Sequence, residues 1–198
     1  RTNSKALLAL AVRLFRAGRV TPVKRRGPFG VQMFTVSKSE TAQRLIFDMR
    51  RVNGLFRKPR DCRLGSGAAL ASLNLSAEEI GHDECAASAG DLPNFFYTLS
   101  LGQEFAELVW LDGLPLGSFL RELVREGLVT EAQAAAWTEG CDGVGFRCLP
   151  MGWSWAPAIA QRVLEWLLER AGESEEGRLR HGSAAAVMTR EKGASMAY

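Results

Sequence analysis

The sequence predicts a mixed α+β fold, and three observations carry that prediction. Apolar residues recur at helical spacing over Lys5–Ala17 and over Pro115–Glu126, and the stretch Leu149–Gln161 continues as a helix to about Arg170, with Pro157 within its first turns. Val31–Val36 (VQMFTV) and Gln43–Met49 (QRLIFDM) read as two strands joined by the turn Ser37-Lys38-Ser39-Glu40, an antiparallel hairpin. A third extended run, Gly143–Leu149 (GVGFRCL), leads into the last helix. With 198 residues, 46% of them hydrophobic, the chain is about one domain in size and has enough apolar material for a core.

In chain order, the first helix carries Leu7, Leu10 and Leu14 as its apolar stripe, with Arg13 and Arg16 beside it, and Gly18 ends it. Thr21-Pro22 and Lys24-Arg25-Arg26-Gly27-Pro28 then read as a basic loop, either solvated or in touch with phosphates. In the hairpin, Lys38 at the tip and Arg44 on the return strand can hold a triphosphate, lysine as a point charge and arginine as a two-pronged donor. The same charges would also protect an edge hairpin from pairing with other chains. Arg50, Arg51 and Asn53 follow, and then a basic loop through Arg63 that contains Arg57, Lys58 and Arg60. Ala68–Ile80 reads as a helix stopped by Gly81.

Two stretches hold the candidate chemistry. In Ala89–Leu101 (AGDLPNFFYTLSL), a small and apolar approach from Cys85 reads as a strand that delivers Asp91 to the end of a sheet, with Phe95, Phe96 and Tyr97 just behind it. On this stretch alone, Asp91 also reads as the N-cap of a short helix that begins at Pro93. In Leu149–Gln161 (LPMGWSWAPAIAQ), Pro150 and Gly152 make a turn, and Trp153 and Trp155 sit beside small residues at a helix start. Flat aromatics there can lie under a nucleobase and sugar, or simply fill a core. Between these stretches, Gln103–Leu111 fits helix and strand alike, and Thr130 caps a helix running to Trp137. The tail holds an acidic loop with Glu173, Glu175 and Glu176, a basic loop, and a strand over Ala185–Met188.

Charge is segregated along the chain. Arg1–Leu70 holds 16 of the 25 Lys/Arg but only 3 of the 22 Asp/Glu, a balance of +13, and the remainder carries −10. A basic lobe joined to an acidic one suits a polyanion held on one side, with acids for cations or chemistry on the other. The two halves could also serve only to attract each other or a partner. Cys62, Cys85, Cys141 and Cys148 form no CxxC pair and histidines occur only at His82 and His181, so zinc is not expected. Reduced thiols, an arginine-interrupted first helix and the lack of a run of about 20 apolar residues lead to the expectation of an intracellular protein without leader or membrane span.

Taken together and in order, FTVSKSETAQRLIFDMRRVN, AGDLPNFFYTLSL and FRCLPMGWSWAPAIAQ resemble the reverse transcriptase domain of retroelements, over about Phe29–Tyr198. The resemblance implies right-hand polymerase fingers and palm, with an antiparallel palm sheet backed by helices. The expected divisions are an N-terminal helix and basic linker (1–28), a basic fingers-like region (29–84) and a partial palm (85–198) with helices inserted at about 102–140. It also implies RNA or DNA template-primer and deoxynucleoside triphosphates as partners, two magnesium ions as cofactor, and nucleotide transfer as the reaction. Asp91 matches the first catalytic carboxylate, with the Leu92 carbonyl beside it as a metal ligand. Phe96 matches the aromatic gate against a ribose 2′-hydroxyl, next to Phe95, and Lys38 and Arg44 match the fingers cations on the triphosphate. Met151, Gly152 and Trp153 occupy the turn under the nucleotide, where many retroviral members have glutamine in place of Met151. Arg50 and Asn53 fall where the family grips template. The family's Tyr-x-Asp-Asp hairpin would begin at Tyr198, so the chain as given is expected to be truncated and inactive by itself. A remnant that binds nucleic acid without chemistry is the alternative.

Overall fold

The computed structural model describes residues 4–60, 62–73, 89–173, 178–180, 194 and 196, and it is a mixed α+β chain with small antiparallel sheets and helices. It divides into two compact units, Arg1–Arg57 with Asn94–Ala156, and Lys58–Pro93 with Pro157–Tyr198.

In the first unit, helix α1 (Ser4–Arg16) buries Leu7, Ala11 and Val12, and Gly18 closes it at a φ of 71°, which a residue with a Cβ rarely adopts. The chain then enters β1 (Val20–Val23), which pairs antiparallel with β4 (Gly143–Phe146) in the register Val20 to Phe146 and Val23 to Gly143. The basic loop expected to begin at Thr21 therefore begins after Val23. Pro22 masks the strand in the sequence, yet it costs the ladder nothing. It faces Val144, whose carbonyl accepts from the Leu111 N–H on the far side of β4, and β1 is an edge.

β2 (Met33–Ser37) and β3 (Gln43–Phe47) form the expected hairpin, with Met33 opposite Phe47 and Ser37 opposite Gln43. Phe47 carries it into the core, its ring 4.3 Å from that of Phe146 on β4. A single turn, α2 (Arg50–Asn53), follows and buries Val52.

Gln103–Leu111 fits two templates in the sequence because it contains both. α5 (Gln103–Leu108), counted after α3 and α4 below, gives way to an extended segment whose Trp110 bridges Gly145 and whose Leu111 bridges Val31. A side chain at Gly145 would run into the Ala106 backbone, so glycine lets α5 lie directly on β4.

α6 (Leu116–Arg125) buries Phe119, Leu120 and Leu123 and ends before Gly127 at a φ of 66°. α7 (Glu131–Gly140) opens on a capping box, in which the Thr130 hydroxyl accepts from the Gln133 N–H and the Gln133 side chain accepts from the Thr130 N–H. Phe15 of α1 sits edge-on to both Phe119 and Trp137, at 5.8 and 6.1 Å, and fastens the three helices together.

In the second unit, α3 (Gly67–Ala71) is capped by the Ser66 hydroxyl, which accepts from the Ala69 N–H. Ala69 and Leu179 pack with Leu73 and Ala194. The α3 helix ends at Ala71, so Ser72 and Leu73 of the helix expected to reach Ile80 are not helical; residues 74–80, the strand approaching Asp91 from Cys85 to Ser88, and the strand Ala185–Met188 lie outside the described residues. α8 (Ala156–Arg170) belongs to this unit from Pro157 on. α4 (Phe95–Thr98) belongs to the first. Among the described residues no helix is long and apolar enough to cross a membrane.

Candidate functional site

Strand β3 is the spine on which most of the predicted nucleotide-binding residues meet. At Leu45 its carbonyl accepts a hydrogen bond from the Tyr97 hydroxyl at 2.6 Å, which ties α4, the helix of Phe95 and Phe96, to the residue after Arg44. Burial pushes the Tyr97 phenol up to about 12, against a smaller opposite pull from the Arg44 charge. Two residues further, the Phe47 N–H donates to the Met151 carbonyl at 3.1 Å and brings in the turn after β4.

That turn is held a second time by Asn53. Its Nδ2 donates to the Gly152 carbonyl at 2.9 Å, and its Oδ1 accepts from the Ser154 N–H at 2.9 Å. Gly152 has a φ of 115°, and any Cβ there would collide with the Phe47 carbonyl, so the close approach of turn and strand requires glycine. Trp153 is 8% exposed and packs between Phe56 and Phe105, at ring distances of 5.2 and 4.7 Å. The Trp155 indole N–H donates to the Arg57 carbonyl. Trp153 is thus core, Met151 is half-buried and Gly152 is exposed.

The cations divide into two kinds. Lys38 and Arg44 are exposed and have no ion-pair partner among the described residues. Arg50 is held by its neighbour: Nε and Nη2 reach the two Asp48 carboxylate oxygens at 2.8 and 2.6 Å, and the Arg50 N–H also donates to Asp48. The Arg50 side-chain hydrogen bonds, helped by its N–H and its charge, hold the Asp48 carboxyl down to about 2 against the opposing effect of burial. Arg50 and Asn53 were expected on template by resemblance; here the first is forked onto Asp48 and the second has both ends of its amide engaged by the turn.

Asp91 and Leu92 are exposed members of the second unit. The strand expected to deliver Asp91 does not form over residues 89–92, where glycine and small residues supply no pairing surface. The short helix begins at Phe95 after Asn94, at a φ of 55°, so Asp91 is not its cap. Among the described residues no three metal-ligating side chains come together. Asp91 with the Leu92 carbonyl supplies one carboxylate and one carbonyl, too few donors to hold two magnesium ions without further carboxylates.

Asp48, Leu45 and Tyr97 are the contributors that sequence reasoning left out. A carboxylate two residues before an arginine is a readable signal for the first; a tyrosine hydroxyl bonded to a backbone carbonyl 52 residues away leaves none. No protein-family model matches the chain, and no curated protein matches it significantly.

Proposed function

We propose that the chain is the fingers and partial palm of a polymerase of the reverse transcriptase class, which adds deoxynucleotides to a primer under the direction of a template. The single observation that supports this most is the Tyr97–Leu45 hydrogen bond. It sets the helix of Phe95 and Phe96 against the strand of Arg44, while the Met151–Trp153 turn is bonded to the same strand at Phe47. Three segments that are remote in the sequence and that the resemblance assigns to one nucleotide thus share one strand. The charges of Lys38 and Arg44, without an ion-pair partner among the described residues, are suited to a triphosphate, and the phenylalanines to the sugar side of the same ligand.

On this reading Asp91 is the first catalytic carboxylate, and the further carboxylates belong to a Tyr-x-Asp-Asp hairpin of which Tyr198 matches the first residue. The test is primer extension with a chain that includes that hairpin. Template-directed incorporation of deoxynucleotides is expected, and Asp91→Asn should reduce it to background. An unchanged rate in Asp91→Asn would sink the assignment.

A further inference from the structure

The second unit contains a cavity of about 430 Å³ whose walls bring together Arg60, Arg63, Arg162 and Arg180, with Glu165 and Gln161 from α8. Among the described lining residues four guanidinium groups face one carboxylate, and that carboxylate is already committed. Glu165 receives Gln161 Nε2 at 3.0 Å and Arg180 Nε at 3.0 Å, and Arg162 Nη1 lies 3.4 Å away. Burial pushes the Glu165 carboxyl up, but these hydrogen bonds and the Arg180 charge together outweigh it, so the group is held below the ordinary carboxylate range and stays ionised. Arg178, 3% exposed at its side chain, adds another positive charge beside Glu165 and Glu169, and its Nε has no acceptor among the described residues. Arg60 and Arg63 have no ion-pair partner among the described residues. Among the described residues, the cavity walls therefore carry more positive than negative charge.

A second, independent feature is neutral. Gln161 is 7% exposed and lines the cavity; its Nε2 is used by Glu165, which fixes the amide orientation, and its Oε1 is buried without a donor among the described residues. A buried acceptor left open costs about 1–3 kcal/mol, so it favours a ligand that brings an N–H or O–H.

We propose that this cavity binds an organic phosphate of about nucleotide size, with Arg60, Arg63 and Arg162 on the phosphate and the Gln161 carbonyl accepting from a hydroxyl or amine of the same ligand. Arginine matches the paired oxygens of a phosphate, and the volume lies within the range of small-molecule sites and exceeds what an inorganic ion needs. None of the proposed polymerase residues lines the cavity, and binding there does not require them.

The experiment is calorimetric titration of the 198-residue chain with AMP and with inorganic phosphate, in EDTA so that metal-dependent nucleotide binding does not contribute. AMP is expected to bind at least tenfold more tightly than phosphate, to weaken at least tenfold in Arg60→Gln/Arg63→Gln, and to bind equally in Arg44→Ala and Asp91→Asn. Gln161→Leu should bring AMP down toward phosphate. Arg60 and Arg63 are exposed, and the melting temperature of the double variant checks its fold. Should it not fold, AMP protection of these two arginines from phenylglyoxal in the unaltered chain, read by peptide mass, replaces it. No AMP binding, no protection, or binding of single-stranded RNA through Arg60 and Arg63 without AMP binding would overturn the proposal.

Discussion

Asn53 and Gly152 are joined by a hydrogen bond of 2.9 Å from the asparagine Nδ2 to the glycine carbonyl, and the other end of the same amide accepts from Ser154. A single side chain thus replaces a strand partner for the turn that carries Met151. Asn53→Ala removes both bonds and should lower stability by about 1–3 kcal/mol, because two backbone groups lose their partners. Asn53→Asp keeps the acceptor for Ser154, loses the donor to Gly152, and should fall between. Urea unfolding midpoints at unchanged slope measure both, and an Asn53→Ala midpoint equal to wild type would show that the clamp holds nothing.

Gly152 and Gly127 both sit at positive φ, but only Gly152 has a backbone carbonyl where its Cβ would go. Gly127→Ala should cost about 1–2 kcal/mol from left-handed conformation alone. Gly152→Ala should cost more, since the turn must also back away from Phe47. Equal costs would mean that the turn moves freely.

Much of this architecture was legible in the sequence where local chemistry decides it. Gly18 and Gly127 end helices because they alone tolerate the closing φ, Thr130 caps with Gln133, and the 31–49 hairpin follows from two apolar runs around a polar turn. The rest depended on partners remote in sequence. Val20–Val23 becomes a strand only because β4 offers an edge that asks nothing of Pro22, which no window around residue 22 can reveal. Trp153 could have been platform or core, and Phe56 and Phe105 decide for core. The Arg60–Arg180 cavity joins residues 120 positions apart, and the sequence marks its two ends as separate basic loops without showing that they meet.

The Asp48–Arg50 fork should be visible as acid-sensitive stability. The Asp48 pKa is lowered to about 2 in the folded chain from an ordinary 3.8. Its contribution is therefore complete above pH 4 and is lost as pH falls toward 2. Any stability gap between wild type and Arg50→Gln should close across that window. The Asp48 carboxyl carbon, followed by NMR, should titrate near 2 in wild type and return toward its ordinary value in Arg50→Gln. A midpoint unmoved by the substitution would show that the fork does not persist in solution.

Tyr97 predicts the opposite sign. Its folded pKa of about 12 lies above the ordinary 10, so the neutral phenol is the form the fold favours. Tyr97→Phe should cost about 0.5–1.5 kcal/mol at neutral pH through the lost bond to Leu45. That deficit should stay constant up to pH 10 and shrink between 10 and 12, as wild type loses the contribution and the variant has none to lose. Alkaline denaturant titrations of the two proteins decide it. A gap that does not change with pH would place the phenol in water.

Phe96 tests the proposed chemistry without touching its carboxylate. It is half-buried in a helix whose next residue, Tyr97, is anchored to β3, so the backbone under Phe96 is fixed by a bond that its own substitution leaves in place. Shortening it should therefore open space without displacing Arg44 or the hairpin. In a chain that includes the proposed Tyr-x-Asp-Asp hairpin, Phe96→Val is expected to reduce the preference for deoxynucleotides over ribonucleotides by about 10- to 100-fold, the scale on which a reshaped pocket discriminates. The loss should arise from faster ribonucleotide use at nearly unchanged deoxynucleotide kcat/KM, because on the proposed reading the wild-type ring excludes a hydroxyl rather than binds the correct sugar. A variant that discriminates as well as wild type, with a matching fall in both rates, would make Phe96 a packing residue and remove the sugar gate from the reading.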